Sequence, residues 1–319
     1  MKEGSRAGRD RLARLMDMFR FALSVVGVVV ATVASAGEVL KASALTRAGL
    51  VPNALIVGRA SCLGTSWLLT EEAQLVEISG DGRSVGIHQA VGLKPEERVW
   101  GLGCLSDGSL WTLASARTVA RLGRNGHIQE RIELRVPRVA LFGTGERLLF
   151  QALPTAEGAP ALATSPPRQP ESVRAWPGLI ARAAGTREQQ LTRNLLNCGL
   201  GFERWLPCWF PDDMRFSLSD GSASRAIELP ALRAAAVDPT APIWDIALSA
   251  ANRFWLLAGS RRRLDGRRAA RQLSWIVEGA ARTVSLEIDP PARLIVAADE
   301  SRCLLVTTQG SVMEVVVMQ

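Results

Sequence analysis

Residues 99–128 read VWGLGCLSDGSLWTLASARTVARLGRNGHI. The pattern in this stretch recurs elsewhere in the chain and predicts the fold. Trp111 follows Trp100 by eleven residues, in two short apolar runs separated by a Ser-Asp-Gly-Ser loop. Asn125-Gly126 then closes the stretch with a dipeptide that favours a tight hairpin turn. The pattern indicates successive antiparallel strands with tryptophan on the buried side.

The same pattern recurs along the chain. Trp244 and Trp255 are again eleven residues apart. Trp67 is followed by Asp81-Gly82 at the same distance at which Trp111 is followed by Asn125-Gly126. Units of this size, with four short strands and aromatic residues at fixed places, are the sequence signature of β-propeller blades. The position of Trp111 is held in six units by Trp67, Trp111, Leu149, Trp205, Trp255 and Ile295.

The sequence therefore predicts an all-β fold, a six-bladed β-propeller with four-stranded antiparallel blades over residues 51–319. Its unit count, its pitch and the G-x-L-W style of the second strand resemble the NHL-repeat and lactonase-like propellers. The lactonase-like enzymes use a metal in the central channel, held by acidic and amide side chains. The resemblance implies that this chain could hold a metal at the same place. Seven or eight blades remain an alternative if residues 155–195 hold a degenerate unit, and so does a two-sheet sandwich.

The first 36 residues have the order of a secretory signal peptide. Arginines precede an apolar run from Phe21 to Ala34, and small residues then lead up to Gly37. We expect cleavage after Ala36, an extracytoplasmic location (periplasmic or secreted), and a linker over residues 37–50. The apolar run is shorter than the about 20 residues of a membrane span. An uncleaved N-terminal membrane anchor is the alternative, and we expect membrane contact only in that case.

Charge and composition narrow the class of partner. The chain is 47% hydrophobic and 22% charged, as is usual for a globular protein. Its formal net charge is +7, and residues 1–36 hold six Lys/Arg and three Asp/Glu, so the remainder carries +4. This excess is mild, and no basic stripe is interleaved with aromatic residues. We therefore expect no nucleic-acid binding.

The sequence contains five cysteines, and an exported location favours disulfides. Cys198 and Cys208 flank the first hairpin turn of the fourth unit, on strands that should be antiparallel, and we predict a disulfide between them. Cys62 and Cys104 lie near the equivalent turn of neighbouring units. They form either a second bridge or two buried thiols.

One set of carboxylates follows the repeat. Glu71 and Glu72 follow Trp67 by four and five residues, and Asp299 and Glu300 follow Ile295 by the same distances. In a closed ring these two loops would be neighbours, and their oxygens would suit Ca²⁺. The sequence thus nominates a calcium site, with solvated acidic turns as the simpler interpretation. No other cofactor is indicated.

The fifth unit carries a basic insertion, GSRRRLDGRRAARQL. A cluster of guanidinium groups suits an anionic partner, such as a glycan or the acidic surface of another protein. A solvated charged loop is again the simpler interpretation. The candidate ligand-binding residues are Arg261, Arg262, Arg263, Arg267 and Arg268.

The sequence lacks the short motifs of serine hydrolases, zinc proteases and nucleotide-binding enzymes. It holds only two histidines, His88 and His127, which also argues against a quinone-dependent dehydrogenase. The main hypothesis is an exported, non-catalytic propeller that serves as a binding or scaffold module. The alternative is a metal-dependent hydrolase of the lactonase-like kind, with its site at the central channel.

Overall fold

The computed structural model shows strands throughout the part of the chain that it describes. No helix occurs in that part, and so none is present there that could cross a membrane. The all-β prediction is confirmed. The described residues are 29–30, 38–50, 54–134, 137–145, 147–152, 162–165, 197–203, 205–210, 213–219, 224–227, 243–250, 252–259, 270–277 and 282–318.

Two four-stranded antiparallel sheets follow two N-terminal strands, β1 (Val29–Val30) and β2 (Val39–Arg47). Gly82 and Gly126, from the predicted Asx-Gly turns, have φ values of 73° and 82°, a conformation that favours glycine. The first sheet contains β3 (Ile56–Cys62), β4 (Thr65–Thr70), β5 (Gln74–Ser79) and β6 (Val85–Gln89). The second contains β7 (Trp100–Cys104), β8 (Leu110–Ser115), β9 (Thr118–Leu122) and β10 (Ile128–Glu133).

The middle of the chain forms two further antiparallel sheets, in which neighbouring strands are again consecutive in sequence. The third sheet contains β11 (Arg138–Thr144), β12 (Arg147–Ala152) and β13 (Leu162–Ser165). The fourth contains β14 (Asn197–Cys198), β15 (Leu206–Phe210), β16 (Asp213–Ser219) and β17 (Ser224–Ile227).

The C-terminal strands are β18 (Ile243–Ala250), β19 (Arg253–Gly259), β20 (Ala270–Val277), β21 (Arg282–Ala298), β22 (Arg302–Thr307) and β23 (Ser311–Met318). Together with β1 and β2 they form an eight-stranded sheet in the order β1-β2-β23-β22-β21-β20-β19-β18. Within β21, residues from Arg282 to Glu287 pair with β20, and those from Ala292 to Ala298 pair with β22. The strand thus ends one run of four strands and begins the next.

The fourth strand of the last run comes from the start of the chain. β2 pairs antiparallel with β23 from Val39 opposite Met318 to Arg47 opposite Ser311. Leu40 and Ala42 are buried while the residues between and after them are exposed, which is the alternation of a half-buried strand. The structure therefore differs from the linker expected for residues 37–50.

The repeat phase deduced from the sequence is correct for five units and shifted in the last. Trp67, Trp111, Leu149 and Trp255 lie in the second strands of their runs, and Trp205 directly precedes a second strand. Ile295 instead lies in β21, the first strand of its run. The last unit was therefore placed one strand too early.

The tryptophan pairs pack as core residues, although the two rings of a pair are not opposite each other. Trp111 is paired with Gly103, and Trp100 with Leu113, across β7 and β8. Both tryptophans belong to one hydrophobic cluster. Trp67 packs with residues of the second sheet, including Leu102, so tryptophans fill the space between neighbouring sheets.

Glycines allow the first strands of successive runs to approach backbone to backbone. A Cβ atom added to Gly58 would lie 2.6 Å from the backbone nitrogen of Leu102. One added to Gly143 would lie 2.7 Å from the backbone nitrogen of Cys104. One added to Gly199 would overlap the carbonyl oxygen of Ile246. No other residue fits these contacts without moving the strands.

We expect Gly58→Ala to lower the free energy of unfolding by about 1–3 kcal/mol, because the new methyl group overpacks this contact. Chemical denaturation measures the change. Ser61→Ala, on the same strand but exposed, should change stability by less than about 0.5 kcal/mol. Equal effects of the two substitutions would show that the contact does not constrain the fold.

Two disulfides join strands in the described residues. Cys198 and Cys208 link β14 to β15 with Cα atoms 4.1 Å apart, the pairing expected from the sequence. Cys62 and Cys104 link β3 to β7 with Cα atoms 6.0 Å apart, which resolves the alternative left open for them. The second bridge therefore fastens the first strands of two different sheets. Cys303 is a buried free thiol.

We expect loss of the Cys62–Cys104 bridge to destabilise the protein more than loss of the Cys198–Cys208 bridge. The bridges span sequence separations of 42 and 10 residues. Chain entropy alone predicts costs of about 4 and about 3 kcal/mol for these loops. Urea denaturation of the two double Cys→Ser variants tests the order, and a larger loss for the shorter loop would contradict it.

Candidate functional site

A cavity of about 430 Å³ lies where the first strands of the runs converge. Residues of β3, β7, β11, β14, β18 and β21 line it, together with the turn that follows β14 and residues of β15. Much of the lining is apolar or glycine. The larger polar side chains in the lining are Arg59, Asp245, Arg293, Trp209 and Trp244.

Arg59 and Asp245 form an ion pair at this cavity. Both terminal nitrogens of the Arg59 guanidinium donate to the Asp245 carboxylate, one to each oxygen. Arg59 Nη1 also donates to the carbonyl oxygen of Ile295. The Asp245 side chain is 3% exposed and that of Arg59 15% exposed. The pair therefore links β3, β18 and β21, the first strands of three different runs.

Backbone groups complete the environment of the Asp245 carboxylate. Ile246 N donates to Oδ1 and Ile295 N donates to Oδ2, each at 2.8 Å. Burial raises the pKa of the Asp245 carboxyl group, while Arg59 and the two backbone N–H groups act in the opposite direction. Four hydrogen-bond donors therefore surround the two carboxylate oxygens of Asp245. These donors stabilise the ionised form of the carboxylate and occupy its acceptor sites.

Two further polar groups distinguish the cavity wall. Arg293 donates from Nη1 to the carbonyl oxygen of Ala54 at 2.6 Å, which places it near the start of β3. Trp209 is 3% exposed, and its Nε1 has no hydrogen-bond partner within the described part of the chain. Trp209 therefore contributes a buried N–H donor without an acceptor in the described residues to this wall.

The predicted calcium ligands lie at opposite ends of the strands. Glu71 N donates to the carbonyl oxygen of Leu55, so Glu71 and Glu72 lie at the end where β3 begins. Arg293 of β21 lies at this same end, whereas Asp299 follows it by six residues, roughly 20 Å along a strand. The one-strand shift of the last unit accounts for this separation. The four carboxylates do not converge.

Asp299 and Glu300 have local structural contacts instead. Trp255 Nε1 donates to the carbonyl oxygen of Asp299 at 3.1 Å, and Arg253 Nη1 lies 2.9 Å from Glu300 Oε2. Asp299 Oδ1 accepts from the backbone nitrogen of Arg302. Over the described ranges, no group of three or more His, Cys, Asp and Glu residues is arranged to hold a metal ion.

Residues 260–269 of the basic insertion lie outside the described residues. Its flanking residues, Gly259 and Ala270, pair with each other at the ends of β19 and β20. Arg261, Arg262, Arg263, Arg267 and Arg268 all belong to the connection between these two strands. Their role in ligand binding stays a prediction.

The residues that line the cavity were not predicted from the sequence. Arg59 in IVGRASC and Asp245 in IWDIALSA are single charges within apolar strands, and such charges require partners when buried. That signal was available in the sequence. Their pairing was not, because the two residues are 186 positions apart.

The fold matches solved structures, although no family model and no curated protein matches the chain. A virginiamycin B lyase from Staphylococcus aureus matches with a TM-score of 0.52 and 13% identity, covering 88% of this chain and 100% of its own. A gluconolactonase from Xanthomonas campestris gives 0.53 and 11%, covering 92% and 96%. A PQQ-bound aldose sugar dehydrogenase from Streptomyces coelicolor gives 0.52 and 16%, covering 90% and 100%.

The chain is a β-propeller. The resemblance to lactonase-like propellers is confirmed at the level of fold. At these identities the likeness shows the fold alone, and the activities of these enzymes differ from one another. The propeller's function has to be argued from its own side chains.

We expect Arg59→Met to destabilise the propeller by about 3–5 kcal/mol, because it leaves the Asp245 carboxylate buried without its cation. Adding Asp245→Asn should cost less than the sum of the two single changes. Denaturation of the four proteins in this cycle measures the coupling.

The exposed pair of Arg253 and Glu300 is the matched control. Its side chains are 37% and 67% exposed, so Glu300→Gln should cost at most about 1 kcal/mol. Additive effects of Arg59→Met and Asp245→Asn would contradict a structural role for the buried pair.

Proposed function

We propose that this chain is an exported six-bladed β-propeller that acts as a non-catalytic binding or scaffold module for an anionic partner. The observation that carries the proposal is the saturated ion pair of Arg59 and Asp245 at the channel. Its carboxylate accepts four hydrogen bonds and bridges three runs of strands. Such a group serves as a structural tie and is poorly suited to act as a metal ligand or general base.

The blade count rests on the strand order. Four separate sheets precede an eight-stranded sheet that contains two successive runs of four strands sharing β21. Six first strands or their extensions line one cavity. Pairing of β2 with β23 gives the last blade its fourth strand and supports closure of the ring through the two ends of the chain.

Export is supported by the disulfides and by the position of the expected cleavage site. Two disulfides within one chain are typical of an oxidising compartment. Cleavage after Ala36 would remove β1 and leave β2, which begins at Val39, complete. A periplasmic or secreted location is thus compatible with the strand pairing that closes the last run.

The anionic partner is inferred from the arginine cluster in the connection from Gly259 to Ala270. Five guanidinium groups within eight residues can bind the sulfates or carboxylates of a glycan, or the acidic surface of a protein. The metal-dependent hydrolase is not favoured as an alternative, because its nominated carboxylates lie at opposite ends of the strands.

We expect the full chain to bind immobilised heparin, used as a probe for anionic glycans, and to elute at a salt concentration set by the cluster. A variant with Arg→Gln changes at Arg261, Arg262, Arg263, Arg267 and Arg268 should elute at clearly lower salt. Thermal melting with added Ca²⁺ and then chelator should show no change for either protein.

The control carries the same charge change on scattered, exposed arginines. These are Arg47, Arg83, Arg98, Arg124 and Arg147. If this control elutes as early as the cluster variant, binding reflects net charge and the proposed partner surface is wrong. A calcium-dependent rise in melting temperature with turnover of a lactone would instead favour the hydrolase.

A further inference from the structure

We infer that the central cavity binds a neutral small molecule with an apolar body and one oxygen acceptor, which receives a hydrogen bond from the indole N–H of Trp209. The inference goes beyond the proposed function, because it concerns the space between the first strands, a different place on the molecule from the arginine cluster. The chemical class of the ligand is that of an aryl ketone or ester.

Most of the cavity wall offers a ligand apolar contact. Among the described residues that line it, only Arg59, Ser61, Asp245 and Arg293 have a charged or hydroxyl-bearing side chain, and the others are apolar or glycine. A volume of about 430 Å³ lies within the range of small-molecule pockets. Transfer of an apolar body from water to such a wall is favourable in proportion to the apolar surface that it buries. The wall therefore suits a ligand that is mainly hydrocarbon.

The charged groups of the wall already have partners within the protein. Arg59 and Asp245 neutralise each other, and the Asp245 carboxylate accepts four hydrogen bonds. Arg293 donates to the carbonyl oxygen of Ala54 and has further interactions with the protein. A charged ligand would lose hydration on entry and would meet no unpaired counter-charge among the described residues. A neutral ligand avoids this cost.

Trp209 provides the observation that points to an acceptor on the ligand. The residue is almost completely buried, it lines the cavity, and its Nε1 has no acceptor in the described residues. A buried donor that leaves its hydrogen bond unmade is costly, and native proteins rarely tolerate one without a reason. A ketone or ester oxygen would accept this hydrogen bond without bringing a charge into the cavity.

The backbone of Trp209 is fixed before any ligand binds. Trp209 pairs with Asn197 across β14 and β15, and the next pair, Cys198 and Cys208, is joined by a disulfide. The indole ring packs against Phe216, with ring centroids 6.2 Å apart. A donor that is already held in place costs little ordering when it binds an acceptor.

The test is a calorimetric titration of the full chain with four phenyl compounds of matched shape. Acetophenone is neutral and carries a carbonyl oxygen, and isopropenylbenzene has a CH₂ group in place of that oxygen. Benzoate is the matched anion and benzamidinium the matched cation. Acetophenone should bind about ten-fold more tightly than isopropenylbenzene, because only acetophenone accepts the hydrogen bond. It should bind at least about ten-fold more tightly than either ion.

Three results of this titration would overturn the inference. They are an ion that binds as tightly as acetophenone, equal affinity for acetophenone and isopropenylbenzene, and no binding of acetophenone at millimolar concentration. The comparison of the four compounds is made on the unaltered chain, so it decides the inference even if a substitution lowers the melting temperature.

Trp209→Phe locates the hydrogen bond, since it keeps an aromatic ring and removes the N–H. It should weaken acetophenone binding by about ten-fold and leave isopropenylbenzene binding unchanged, a difference that a general disturbance of the wall would not produce. Trp275→Phe is the matched control. Trp275 is also buried, with an Nε1 that has no partner in the described residues, but it does not line the cavity. Equal weakening by the control, or no effect of Trp209→Phe, would overturn the assignment.

The outcome is independent of the heparin test. Heparin binding through the arginine cluster, without acetophenone binding in the cavity, would refute this inference and leave the proposed function standing. Acetophenone binding without heparin binding would refute the proposed partner surface and support the cavity site.

Discussion

The ion pair between Arg59 and Asp245 is the interaction on which the arrangement of the strands depends. It fixes β3 against β18 and β21, strands that are far apart in sequence and that belong to three different runs. Burial makes the pair costly unless every donor and acceptor is matched, and here the carboxylate has four donors. The hub of the propeller is therefore held by directional bonds as well as by apolar packing.

Glycine makes this hub possible. At Gly58, Gly143 and Gly199 the neighbouring strand lies where a side chain would begin, so the first strands can converge around a single cavity. The Cys62–Cys104 bridge then fastens two of these strands covalently. Convergence, directional bonding and cross-linking together produce a preformed cavity, and binding to a preformed cavity requires little ordering of the protein.

Local patterns in the sequence were sufficient to predict the strands, the Asx-Gly turns and the pairing of Cys198 with Cys208. They failed where the answer depends on distant parts of the chain. Ile295 resembles a second-strand residue because alternation has the same period in every strand, and only its pairing with β22 identifies it as first. Arg59 and Asp245 are visible as isolated charges, but nothing local shows that they meet. The role of β2 likewise depends on its distant partner, β23.

The pairing of β2 with β23 also sets an order of events. Along the chain, β2 comes before the strands of all four smaller sheets, and β23 comes after them. The final sheet cannot be completed until the chain has been synthesised through β23, since the partner of β2 does not exist before then. Contacts of such large sequence separation form slowly. In the exported protein that we propose, this delay would keep the last sheet incomplete until β23 has crossed the membrane.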